Sequence, residues 1–161
     1  MPYNESIKIT EVQKSKLQVI RQLALDIWPA TYSAIQSQEQ IDYMLELFYS
    51  EQALSRDFDK PGYHFFIINV DDIDVGYAGV EAKENNTWHL HKIYLSQKLH
   101  GKGLGKALIG HVENFAKEHG ASYLTLNVNR YNKAFNFYKA CGYNILKEED
   151  TDIGNGFFMN D

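Results

Sequence analysis

This chain predicts an α/β protein built around one mixed sheet, on three observations. Apolar runs at 63–70, 75–82 and 87–95 are separated by turns too short for anything but antiparallel pairing. A full amphipathic helical run then connects the third of them to another strand at 122–128, the pattern of a parallel pair with a right-handed crossover. Between strand and helix lies His100-Gly101-Lys102-Gly103-Leu104-Gly105-Lys106. Its alternate glycines let the backbone fold tightly and bring bare amides close to a ligand.

Each element has its own warrant. Residues 7–9 read as a short first strand. Leu17, Ile20, Leu23, Ala24 and Ile27 recur at helical spacing, and Pro29 lies near that helix's end. A second helix carries Ile41, Met44, Leu45 and Phe48 on one face, with Ser37 as its N-cap. Pro61-Gly62 precedes the first long strand, Asp71-Asp72 makes the first hairpin turn, and Glu84-Asn85-Asn86 the second. The helix after the glycine loop has Leu104, Ala107, Leu108, Val112, Phe115 and Ala116 on one stripe, and Gly120 ends it. A short helix from Asn132, closed by Gly142, and strands at 143–147 and 156–159 complete the order.

Composition narrows the function classes. A chain of 161 residues with 44% hydrophobic and 14% aromatic residues suits one domain, 1–161, with a sizeable core. The single cysteine, Cys141, excludes an internal disulfide and fits a reducing, cytoplasmic setting. No run approaches membrane-spanning length, and residues 1–6 do not form a signal peptide. A net charge of −5 disfavours nucleic acid and suits cationic substrates. Monomer and homodimer both fit.

The glycine loop opens a helix at Leu104, whose unpaired first-turn N–H groups and dipole make an anion cradle, with Lys102 and Lys106 adding charge. It is not a P-loop, which would need Gly in place of His100 and Ser or Thr in place of Ala107. Nor is it a dinucleotide fingerprint, because Gly101, Gly103 and Gly105 are spaced two and two. A mononucleotide kinase and a dehydrogenase are both disfavoured.

His100-x-x-Gly103-x-Gly105, preceded by Leu90-His91-Lys92-Ile93-Tyr94-Leu95, resembles the acyl-CoA signature of the GNAT superfamily of N-acyltransferases; His100 stands where Gln or Arg is usual. Asn132-Lys133-Ala134-Phe135-Asn136-Phe137-Tyr138-Lys139-Ala140-Cys141-Gly142-Tyr143 is similar to the family's second segment, N-x-A-x-x-[FL]-Y-x-x-x-G-[FY]. The resemblance covers nearly the whole chain. It implies a GNAT-like fold: a central mixed antiparallel and parallel sheet with a splayed parallel strand pair, flanked by about four helices. It also implies acetyl-CoA as co-substrate and a small amine as acceptor. Trp28 to Tyr32, Tyr43-Met44 and the glycine loop resemble the polyamine-acetylating branch.

By the same resemblance, backbone groups of Ile93, Tyr94 and Leu95 hold the pantetheine arm, residues 100–106 the pyrophosphate, and Asn132 the arm again. Tyr138 protonates the departing thiolate, which a positioned phenol is competent to do. The family's usual strand Glu is replaced by His89, so the expected general base is His89 or Glu81, directly or through water. Trp28, Tyr32, Glu81 and His89 are expected around the acceptor. His89 and His91 form an H-x-H pair, but no third ligand stands at recognisable spacing, so no metal is expected. Cys141 reads as packing, and transfer is expected to be direct, in a ternary complex. A CoA-binding sensor that has lost catalysis is the competing reading.

Overall fold

The computed structural model describes residues 6–99, 101–129, 131–147, 150–154 and 156–161, without the side chains at 150, 152, 158 and 160. The sequence readings at His100 and before Ser6 lie outside them. Among the described residues the order is β1 (Ile7–Val12), α1 (Leu17–Tyr32), α2 (Gln38–Tyr49), α3 (Glu51–Asp59), β2 (Tyr63–Val70), β3 (Ile73–Ala82), β4 (Thr87–Leu95), α4 (Leu104–Glu118), β5 (Tyr123–Leu126), α5 (Ala134–Ala140), β6 (Asp150–Gly154) and β7 (Phe157–Asn160). No described helix is long and apolar enough to cross a membrane.

Strands β1 to β5 form one sheet in sequential order. The first three junctions are antiparallel and β4–β5 is parallel, joined through α4 as the sequence predicts. Both hairpin turns place two residues in the left-handed region, Asp71 and Asp72 in one and Asn85 and Asn86 in the other. That is the type I′ geometry whose twist matches the flanking strands.

The sheet is covered on both faces, and its residues alternate between two cores. Phe65 and Ile67 of β2 join Ile20, Ala24, Trp28, Ile41, Tyr49 and Leu54 from the α1–α3 layer. Phe66 and Ile68 point the other way, to Leu104, Leu108, Ile109 and Val112 of α4. A strand buried on both faces needs the near-continuous apolar run that β2 has.

Three elements differ from the sequence expectation. Helix α3 is additional: Ser50 caps it by accepting from the Ala53 N–H at 3.1 Å, and only Ala53 and Leu54 are buried, too few to produce a readable stripe. Residues 143–147 are not a strand; Ile145 and Leu146 are 55% and 84% exposed, so the apolar pair there faces solvent. The chain instead forms β6, from a polar segment, and pairs it with β7 in a separate two-stranded sheet. Tyr43 of α2 anchors this hairpin, donating its hydroxyl to the Ile153 carbonyl at 2.7 Å.

Candidate active site

The site lies where the sheet forks. The β4–β5 ladder runs from Thr87–Tyr123 to Leu90–Leu126 and goes no further. Beyond it the two chains separate around a cleft of about 640 Å³, walled by Ile93, Tyr94 and Leu95 on one side and Leu126 and Val128 on the other. On this stretch β4 keeps its ladder with β3 but not with β5, so its cleft-side edge is open to an extended, amide-bearing ligand.

The fork begins at a bulge. Gly79 pairs with Lys92 but Val80 pairs with Leu90, so His91 is an extra residue in β4. The extra residue reverses the alternation. Trp88 and Leu90 before it, and Ile93 and Leu95 after it, all pack into the α4-side core. Lys92 faces the other layer, 5.4 Å from the centre of the Tyr49 ring, and pairs with Asp57 of α3 at 3.2 Å.

At one end of the cleft is the glycine loop. Gly101 and Gly103 have φ of +82° and +80°, and nothing lies within 4 Å of where a Cβ would project from either. Both the backbone angle and the open space suit close approach of a ligand to the chain. Gly103 caps α4 with no side-chain hydrogen bond, so no side chain at the cap satisfies the first-turn N–H groups of Leu104 and its successors. Lys106 lines the cleft beside them, and a Cβ at Gly105 would project to 3.5 Å from the Phe137 ring.

Helix α5 closes the cleft. Asn132 accepts the Ala134 N–H on its Oδ1 at 2.9 Å, fixing the entry to the helix. Tyr138 lines the cleft, 8% exposed, with no hydrogen-bond partner for its hydroxyl among the described residues. Burial pushes its pKa up, which keeps the phenol protonated. Opposite, the Tyr32 and Tyr94 hydroxyls meet at 2.8 Å, and burial pushes Tyr32 up to about 12.

The four expected acceptor-side residues divide. Tyr32 lines the cleft. Trp28 sits in the helical core, 3% exposed, its indole donating to Tyr77 at 3.0 Å. His89 pairs across the parallel ladder, its Nδ1 2.6 Å from Thr125 Oγ1, and burial lowers it to about 4. Burial alone would raise the Glu81 carboxyl, but Lys83 and His91, each 2.9 Å away, outweigh it and hold it below its usual value. The imidazole on the cleft wall is that of His91, which sequence reasoning had treated only as half of an H-x-H pair. Its signal was the shift of apolar parity between Leu90 and Ile93.

A strand fork facing a glycine-capped helix, with a protonated phenol between them, defines an acyl-CoA-dependent acyltransferase. The comparisons agree. The family model of the acetyltransferase (GNAT) domain matches residues 33–158. A spermidine N(1)-acetyltransferase from Thermoplasma acidophilum is 28% identical, over 96% of this chain and 96% of the relative. An uncharacterized N-acetyltransferase in the pepI 3′ region of Lactobacillus delbrueckii subsp. lactis is 27% identical, over 92% and 91%. Among solved structures, PaiA N-acetyltransferase from Thermoplasma acidophilum in complex with coenzyme A aligns with a TM-score of 0.77 at 24% identity, covering 95% of this chain and 96% of that one. This chain belongs to the GNAT acetyltransferase family, whose acyl donor is acetyl-CoA.

Proposed function

We propose that residues 1–161 form one cytoplasmic N-acetyltransferase unit that moves an acetyl group from acetyl-CoA directly to a primary amine. The observation that carries this is the convergence, in one cleft, of the stretch of β4 beyond its ladder with β5, the start of α4 capped by a glycine, and the Tyr138 hydroxyl. The Ile93–Leu95 backbone and Asn132 hold the pantetheine amides. Residues 101–106 hold the pyrophosphate, with His100 completing the loop. Tyr138, kept protonated by burial, gives its proton to the leaving thiolate. A base on the β3–β4 side, where Glu81 and His89 stand, prepares the amine, and Tyr32 shapes the acceptor wall.

Polyamines head the list of acceptors, supported by the 28% identical spermidine acetyltransferase and by the acidic net charge of −5. The test is thiol release from acetyl-CoA across polyamines, amino acids, amino sugars and short peptides. Turnover confined to one class identifies the acceptor. Tight retention of acetyl-CoA without turnover of any amine would replace the enzyme reading with a sensor.

A further inference from the structure

We infer that His91, oriented by Glu81, is the base that takes the proton from the acceptor amine; this rests on the N-acetyltransferase reading above. The fork in the sheet is what opens the space before it. His91 keeps the face of its neighbour His89, the two rings 4.7 Å apart, but stands one step beyond the last rung of the β4–β5 ladder, where it lines the cleft wall with its side chain 29% exposed. Accessibility of that order admits a substrate nitrogen without dissolving the surrounding structure.

The ring is held in one orientation. Its Nε2 lies 2.9 Å from Glu81 Oε1. Glu81 is held ionised by Lys83 and by this same contact, so it can only accept, and Nε2 carries the hydrogen. The lone pair is then on Nδ1, which has no hydrogen-bond partner among the described residues. Tyr63 stacks on the ring at 5.3 Å and 11°, and His89 meets it edge-on at 4.7 Å.

The groups facing His91 fix its charge. Glu81 and Lys83 come from the β3 side, Tyr63 from β2, and His89 and Lys92 from β4. Burial is the largest influence and lowers its pKa; Glu81 opposes this and Lys92 and Lys83 add to it, with a net lowering. The imidazole is neutral at physiological pH, the form a base requires. His89 is the weaker contender, since its Nδ1 is taken up by Thr125 and its value of about 4 gives little driving force.

In the step itself, Nδ1 takes one proton from the substrate ammonium. The freed nitrogen pair forms the C–N bond as the C–S bond breaks, and the sulfur leaves with the Tyr138 proton. The second nitrogen proton returns to the tyrosinate, and His91 releases its own to solvent. One ammonium and one thioester become one amide, one thiol and one proton.

His91→Gln keeps a donor for Glu81 and removes the basic nitrogen. We expect kcat/KM for the amine to fall roughly 100-fold, the acidic limb of its pH profile to vanish, and acetyl-CoA retention to stay as it is. Glu81→Gln should leave KM for the amine near its original value and move the limb to lower pH, because the influence that raises His91 is lost. A limb that survives in His91→Gln but disappears in His89→Gln overturns the assignment. A second readout needs no acceptor: nitrogen NMR of the wild-type imidazole should show the Nε2–H tautomer of His91, and an Nδ1–H tautomer overturns the proposal. Wild-type protein that holds acetyl-CoA but turns over no amine sinks the underlying acetyltransferase reading instead, and the tautomer measurement tells the two failures apart.

Discussion

At the glycine-loop end of the cleft, the proposed contacts belong mainly to the main chain: the first N–H groups of α4 and the stretch of β4 beyond its ladder with β5. At the opposite end the cleft is lined by side chains brought from separate elements, Tyr32 from α1, His91 from β4 and Tyr138 from α5, with Glu81 of β3 behind His91. A main-chain site is written locally, by glycines and helix starts. A side-chain site depends on which residues the register brings together. The first can keep one ligand through extensive sequence change, while the second changes its ligand with a few substitutions.

The largest effect that would sharpen this contrast lies behind the side-chain end. Asp57→Asn leaves the Lys92 ammonium, whose side chain is 11% exposed, facing a neutral partner. Breaking a buried pair should cost about 3 kcal/mol, lowering the melting temperature by roughly 6–12 °C for a chain of this size. Acetyl-CoA retention at low temperature should survive, and its loss would show that the two ends are not separable. Gly103→Val acts at the other end. A β-branched residue at φ +80° is strained by about 2 kcal/mol, so calorimetry should show acetyl-CoA affinity down roughly thirtyfold with kcat little changed at saturation.

Tyr138→Phe should lower kcat by roughly tenfold or more with co-substrate affinity nearly constant. An unchanged kcat would remove the phenol from the chemistry. The smallest effect is on stability against pH. His89 titrates at about 4 in the fold against 6.5 unperturbed, because burial disfavours its cation. The unfolded chain therefore binds more protons between those values. The sign follows: stability is intact above pH 6.5 and falls as the pH drops towards 4. Melting curves over that window should be flatter in His89→Gln, and an identical slope would mean that His89 is not the buried group responsible.

What the sequence made legible follows the same division. The glycine loop, the α4 stripe, the Asp71-Asp72 and Asn85-Asn86 turns and the parallel crossover all depend on neighbours in the chain, and all are where the sequence put them. Helix α3 escaped because its short face buries only Ala53 and Leu54. Residues 143–147 misled because Ile145-Leu146 looks like a strand interior yet faces solvent. On the acceptor side, a strict two-residue period makes His89 and His91 equivalent. The two rings do share a face, but the end of the β4–β5 ladder falls between them, giving one a threonine and the other the cleft.

The bulge in β4 also gives that strand something that plain alternation forbids: two consecutive side chains, His91 and Lys92, on one face of the sheet. Deleting one of the two would close the ladder into regular pairing and leave Ile93 and Leu95 against α4 and Tyr94 among the tyrosine hydroxyls. What a single codon adds here is a second polar head, an imidazole beside an ammonium, at no cost to the two apolar faces.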